Sequence, residues 1–81
     1  MAGVGRVSYP PHLFSMPLSL TLIVHLGHFV VFAKSSGVPL GFLSEGGNYT
    51  NSIGHARHFF SARMAIEYVE FLKLKVKEWS L

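Results

Sequence analysis

Two pairs of histidines are the residues best suited to chemistry in this 81-residue sequence. His25 and His28 are three residues apart, and His55 and His58 repeat that spacing. Positions i and i+3 of a helix share one face, and imidazole is a common ligand of transition metals. His25 and His28 are therefore candidate ligands of a metal or haem iron, members of a proton relay, or residues that hydrogen-bond to a packed helix.

Packing is the preferred interpretation of His25 and His28, and a polar helix start at the membrane surface is the preferred interpretation of His55 and His58. Two trans axial ligands of one haem iron cannot come from positions i and i+3 of a single helix, so a haem would need a second helix from a partner. The carboxylate nearest to the second pair is Glu67, nine residues after His58. The sequence has no cysteine, which excludes disulfides and zinc–thiolate sites. We therefore predict no metal and no cofactor.

The sequence also argues against catalysis and against nucleic-acid binding. It contains no GxSxG, no HExxH and no phosphate-binding glycine loop. Seven basic and four acidic residues give a net charge of +3. Only Lys73, Lys75 and Lys77 cluster, and Glu78 follows them, whereas a nucleic-acid interface collects many basic residues on one face. We predict a protein that is not an enzyme and that has no nucleic-acid partner.

A long apolar segment is the strongest structural signal. Residues 13–33 contain no Asp, Glu, Lys or Arg, which exceeds the roughly 18 residues expected of a spanning helix. The ten Leu, Ile, Val and Phe residues between positions 18 and 33 contribute about −3 to −6 kcal/mol of insertion free energy. Pro17 suits the first turn of a helix, and Gly37 suits its C-cap. The sequence predicts a transmembrane helix over about 17–36.

The C-terminal third resembles an amphipathic helix over about 55–79, with Ser52 as a candidate cap. Polar residues recur there with a spacing of 4, 3, 3 and 4, which places them on one stripe: Arg63, Glu67, Glu70, Lys73 and Lys77. The opposite face carries the residues predicted to be interfacial, which are Phe60, Met64, Tyr68, Phe71 and Trp79. Residues 72–77, LKLKVK, alternate with the period of a strand. The helix is preferred because its stripe is the longer of the two patterns.

Together these patterns predict an all-α membrane protein in four segments: a flexible tail 1–12, a transmembrane helix 13–36, a Gly-rich connector 37–54 and a surface helix 55–81. Charged residues make up 14% of the chain, against about 25% in ordinary domains, and mean hydropathy is +0.37. The predicted function is that of an accessory or structural subunit of a larger membrane complex. Its predicted partners are lipid, other membrane-protein subunits, or a second copy bound through the transmembrane helix.

Two alternatives remain at this stage. In the first, residues 1–33 are a secretory signal peptide with Arg6 in its basic region and cleavage after Ala33. Asn48-Tyr49-Thr50 would then be a usable N-glycosylation sequon with the glycan on Asn48. The apolar run is longer than the usual 7–15 residues or so of a signal peptide. In the second alternative, the apolar segment is the buried core helix of a small helical oligomer.

Overall fold

The computed structural model describes residues 17–81, which form a five-stranded sheet and one α-helix. The sheet order is β4-β3-β2-β1-β5. Neighbours from β4 to β1 are antiparallel, and β5 runs parallel to β1. The predicted all-α fold is therefore wrong. The predicted tail 1–12 lies outside the described residues. The elements are β1 Leu18–His25, β2 His28–Ser35, β3 Val38–Leu43, β4 Tyr49–Thr50, α1 Ala62–Phe71 and β5 Val76–Ser80.

The predicted transmembrane segment forms a β-hairpin instead. β1 and β2 pair from end to end and are joined by Leu26 and Gly27, whose φ angles are 53° and 80°. Positive φ at both central residues is the requirement of the type I′ turn that connects strands most tightly. Ser36 and Gly37, with φ angles of 51° and 79°, form an equivalent turn between β2 and β3. Gly37 is therefore a turn residue and not a helix C-cap.

The prediction of an integral, single-pass membrane protein is also wrong. Within residues 17–81, no helix has the length and apolar character needed to span a membrane. The apolar run is divided between two strands, and every second residue in the first half of β1 faces a protein core. Such a run does not by itself distinguish a helix from a pair of buried strands.

The core lies between one face of the sheet and α1. In β1 the residues at alternating positions 18, 20 and 22 are leucines with 6%, 1% and 7% exposure. Their partners on β2 at positions 35, 33 and 31 are also buried. Ala65 and Val69 of α1 close the same cluster. Burial of a leucine or valine side chain contributes about 1.5–3 kcal/mol, so this face stabilises the small sheet.

α1 is much shorter than the predicted helix 55–79. It begins after Ser61, whose Oγ accepts a hydrogen bond from the Met64 amide at 3.2 Å and so caps the helix. Ser52, the predicted cap, instead precedes a short 3-10 turn at Ile53–His55. The extended segment 56–60 separates that turn from α1. The helix predicted over 55–79 is therefore present only at its middle ten residues, Ala62–Phe71.

The end of α1 is decided by a change of backbone conformation. Lys73 has a φ of 59°, in the left-handed region, and redirects the chain toward β5. β5 starts at Val76, inside the LKLKVK alternation that was judged weaker than the helical stripe. Two residues of the predicted polar stripe form an ion pair on α1, in which Arg63 Nε lies 3.4 Å from Glu67 Oε2.

Removal of residues 1–33 would destroy this fold. Ala33 is fully buried in β2, and cleavage after it would take away all of β1 and most of β2. Both strands lie inside the sheet, between β3 and β5. The domain described here and the product of the predicted signal-peptide cleavage therefore exclude one another.

Candidate functional site

Three histidines that are distant in sequence meet at one end of the sheet. His25 ends β1 and His28 begins β2, and the two are direct partners across the hairpin. His58 belongs to segment 56–60, which lies beside β2 because Phe29 and Phe59 exchange backbone hydrogen bonds of 2.9 and 2.8 Å. We call His25, His28 and His58 the histidine cluster.

Strand alternation explains why these side chains share a face. Phe59 is 4% exposed in the core and Phe29 packs against that core, so both point toward α1. Their neighbours His28, His58 and Phe60 consequently point to the opposite face of the sheet. His25 shares that face because it is paired with His28.

The hydrogen bonds determine where the imidazole protons lie. His58 Nδ1 is 2.8 Å from the Ala56 carbonyl oxygen, and because a carbonyl only accepts, His58 Nδ1 carries the proton. When the His58 ring is neutral, its Nε2 is an acceptor, and His25 Nδ1 donates to it at 3.0 Å. His28 Nδ1 donates in the same way to the Leu26 carbonyl at 3.2 Å.

Aromatic contacts complete the cluster. The ring centroids of His25 and His58 are 5.2 Å apart, and those of His28 and His58 are 6.1 Å apart. The Phe60 ring lies 5.1 Å from that of His28 and is 77% exposed. Within residues 17–81, no three or more His, Asp or Glu side chains are arranged to hold a metal ion. The cluster thus offers one close pair of imidazole nitrogens beside an exposed aromatic ring.

The structure regroups the two predicted histidine pairs. His25 and His28 do lie together, but on strands and not on a helix. His55 is exposed in the 3-10 turn Ile53–His55 and is absent from these contacts, whereas His58 joins the first pair. No sequence spacing signals this arrangement, since His25 and His58 are 33 residues apart.

The predicted interfacial residues divide into two groups. Phe60 and Phe71 are each 77% exposed, and Met64 is 46% exposed. Tyr68 and Trp79 are partly buried against the core. The Tyr68 hydroxyl accepts a hydrogen bond from the Gly46 amide at 3.0 Å. Only the first group is available to a partner.

The predicted glycosylation residue Asn48 is exposed between a 3-10 turn at Glu45–Gly47 and β4. Its side-chain amide donates to the Glu45 carbonyl at 3.1 Å. The next residue, Tyr49, packs against the core, and burial raises the pKa of its phenol above the usual value. The sequon therefore lies at the β4 edge of the sheet.

Arg57 holds segment 56–60 in place. Its Nη1 donates to both carboxylate oxygens of Glu45, at 2.8 and 2.7 Å. Its guanidinium lies over the Tyr68 ring at 4.5 Å and near the Phe59 ring at 5.5 Å. Its backbone amide donates to Leu43 at 3.0 Å. Arg57 therefore connects the 3-10 turn, the end of β3 and α1. These contacts hold the backbone of segment 56–60 and so position His58 and Phe60, which flank the buried Phe59 in the sequence.

Replacing Arg57 with methionine is expected to lower the free energy of unfolding by about 1 kcal/mol. The variant loses the ion pair and the ring contact, and the loss is partly offset because Arg57 Nε is buried without a hydrogen-bond partner. Urea denaturation followed by Trp79 fluorescence measures the change. The matched control is Arg63→Met, whose exposed ion pair should contribute less than about 0.5 kcal/mol. Equal effects of the two substitutions would contradict the positioning role of Arg57.

A concave feature lies at the other end of the sheet. It is an open depression of about 480 Å³ lined by five residues: Pro17, Ser19, Ser36, Gly37 and Lys77. Lys77 is the one charged side chain in that described lining, and no imidazole or carboxylate accompanies it. The histidine cluster is therefore the richer site chemically.

Comparison with known proteins identifies no relative. No family model matches the chain, and no curated protein or solved structure matches it significantly. Function is therefore inferred from the residues and geometry of this chain alone.

Proposed function

We propose that this chain acts by binding another protein, as an accessory or structural component of a larger assembly, and has no catalytic activity of its own. The observation that carries the proposal is the presentation of Phe60. Its neighbour Phe59 is buried and bonded to β2, so the segment is held rigidly while Phe60 is 77% exposed. A rigidly held aromatic side chain costs little conformational entropy on binding and is typical of interface hot spots.

Two further apolar side chains are exposed at this end of the sheet. Val24, at the end of β1, is 67% exposed, and Leu26, in the following turn, is 83% exposed. We call Val24, Leu26 and Phe60 the apolar end. Met64, in the first turn of α1, is a further exposed apolar residue at 46%.

The absence of catalysis rests on the sequence and on the chemistry of the cluster. The chain lacks the motifs of nucleophilic and metal-dependent hydrolases. His25 and His58 use their facing nitrogens to bond to each other. A binding role requires only the exposed surface beside them.

Replacing Phe60 with alanine is expected to abolish partner binding without unfolding the domain. The tagged full-length chain would be purified from cells that naturally express it, and co-purifying proteins would be quantified by mass spectrometry. At least one protein enriched with the unaltered chain should fall by about tenfold or more in the Phe60→Ala variant. The Phe60→Ala substitution should change the thermal unfolding midpoint no more than other surface substitutions do, because the ring is exposed.

Val38→Ala provides the matched control. Val38 is also an exposed apolar residue, at 37%, but it follows the turn between β2 and β3 at the opposite end of the sheet. It should leave the co-purifying proteins unchanged. Identical protein profiles for all three chains would contradict the proposed function.

A further inference from the structure

We infer that His25 and His58 form a two-nitrogen binding site for a divalent transition-metal ion of the Cu²⁺ or Ni²⁺ type. The inference is independent of the proposed partner and rests on the close approach of His25 Nδ1 and His58 Nε2. Both belong to imidazoles, whose neutral form is a ligand suited to these ions. A metal ion would replace the hydrogen bond that now joins them.

The two nitrogens are close enough to share one ion. They are 3.0 Å apart, and an ion about 2.05 Å from each would contact both once the rings have turned. Square-planar and octahedral ions such as Cu²⁺ and Ni²⁺ accept two neighbouring imidazole ligands and take water at their other positions. Cu²⁺ should bind most tightly, following the general order of divalent affinities.

His58 is already arranged as a metal ligand. Its Nδ1–H donates to the Ala56 carbonyl at 2.8 Å, which fixes the ring and leaves the Nε2 lone pair directed toward His25. Metal-binding histidines characteristically use their second nitrogen in this way. Segment 56–60, which carries this ring, is itself held by the backbone pairing of Phe59 with β2.

His25 requires one change of tautomer. Its Nδ1 proton moves to its own Nε2, so that the Nδ1 lone pair becomes available and the imidazole stays neutral. The side chains then turn so that both lone pairs converge on the ion. No net proton is gained or released by the protein in this step, and the remaining coordination positions are taken by water.

His28 is assigned no role as a ligand. Its ring centroid lies 6.1 Å from that of His58, and in the part of the chain that the structure describes no third His, Asp or Glu completes a metal-binding group. His28 is the same residue type on the same face of the sheet. It is therefore a matched control for the two proposed ligands.

The test is Cu²⁺ titration of the full-length chain by calorimetry at pH 7.5 in a non-coordinating buffer. His12 and His55 are first replaced with glutamine, so that only the histidine cluster carries imidazoles. One ion should bind per chain. His25→Gln and His58→Gln should each weaken binding about tenfold or more, whereas His28→Gln should stay within about twofold. Circular dichroism establishes that each variant is folded.

Electron paramagnetic resonance provides a measurement that needs no further substitution. The bound Cu²⁺ should show hyperfine coupling to two imidazole nitrogens in the chain with His25, His28 and His58 intact. The inference would be overturned by absence of binding, by coupling to fewer than two imidazoles, or by equal losses in all three variants.

Discussion

Replacement of Leu20 with alanine is expected to lower the free energy of unfolding by about 3 kcal/mol. Leu20 is 1% exposed in the middle of β1 and is paired with Ala33 on one side and Trp79 on the other. Truncation leaves a cavity in the centre of the core, which neighbours on two strands cannot fill. Small domains are stable by only about 5–15 kcal/mol, so this loss is large. Urea denaturation with Trp79 fluorescence and circular dichroism measures it.

Leu26→Ala is the matched control for this prediction. Leu26 belongs to the same apolar run, six positions after Leu20, but it is 83% exposed in the hairpin turn. Its replacement should change the free energy of unfolding by less than about 0.5 kcal/mol. Similar effects of the two substitutions would contradict the alternation that places Leu20 in the core and Leu26 at the surface.

The second large effect is expected at Gly41, where alanine should cost about 2 kcal/mol or more. Gly41 is buried in β3 with a φ of +117°, beside an irregularity in the pairing of β2 with β3. A Cβ at this position would lie 2.7 Å from the Thr50 carbonyl oxygen and 3.3 Å from the Thr50 carbonyl carbon. Both atoms belong to the backbone of β4, so the clash can be relieved only by moving that strand.

Gly27→Ala is the control for Gly41→Ala, because it measures the cost of a positive φ without a steric clash. Gly27 has a φ of +80°, but a Cβ added there would have no atom within 4 Å. Its replacement should therefore cost only the conformational penalty of about 1–2 kcal/mol. Gly41→Ala should be the more destabilising of the two in the same urea denaturation experiment. An equal or smaller effect at Gly41 would show that β3 and β4 do not approach as closely as the structure indicates.

Several local features of the sheet were present in the sequence. Residues 18–22, LSLTL, alternate apolar and polar residues as a half-buried strand does. Gly27 and Gly37 interrupt the apolar region at intervals suited to short hairpins. The helix interpretation counted Gly27 as a minor cost, because the uncharged run was long, and took Gly37 as the C-cap of the helix. The type I′ turns show that they mark where the strands end.

The C-terminal third shows how two valid local patterns compete. The 3-4 spacing of polar residues correctly predicts helix between positions 62 and 71, and period-two alternation indicates the strand that begins at Val76. Local sequence does not determine the residue at which the helix ends and the strand begins. The left-handed Lys73 and the available edge of β1 decide it, because β5 gains backbone hydrogen bonds by pairing with β1 that a longer helix would not provide.

The sequence by itself determined the apolar alternation, the turn glycines, the middle of α1 and the lack of cysteine chemistry. The tertiary structure decided the fold class, since the same apolar residues can face lipid as a helix or one another as strands. The tertiary structure also determined which histidines form the cluster. His25 and His58 meet because Phe29 pairs with Phe59, and a contact across 33 residues depends on strand pairing that no local spacing encodes.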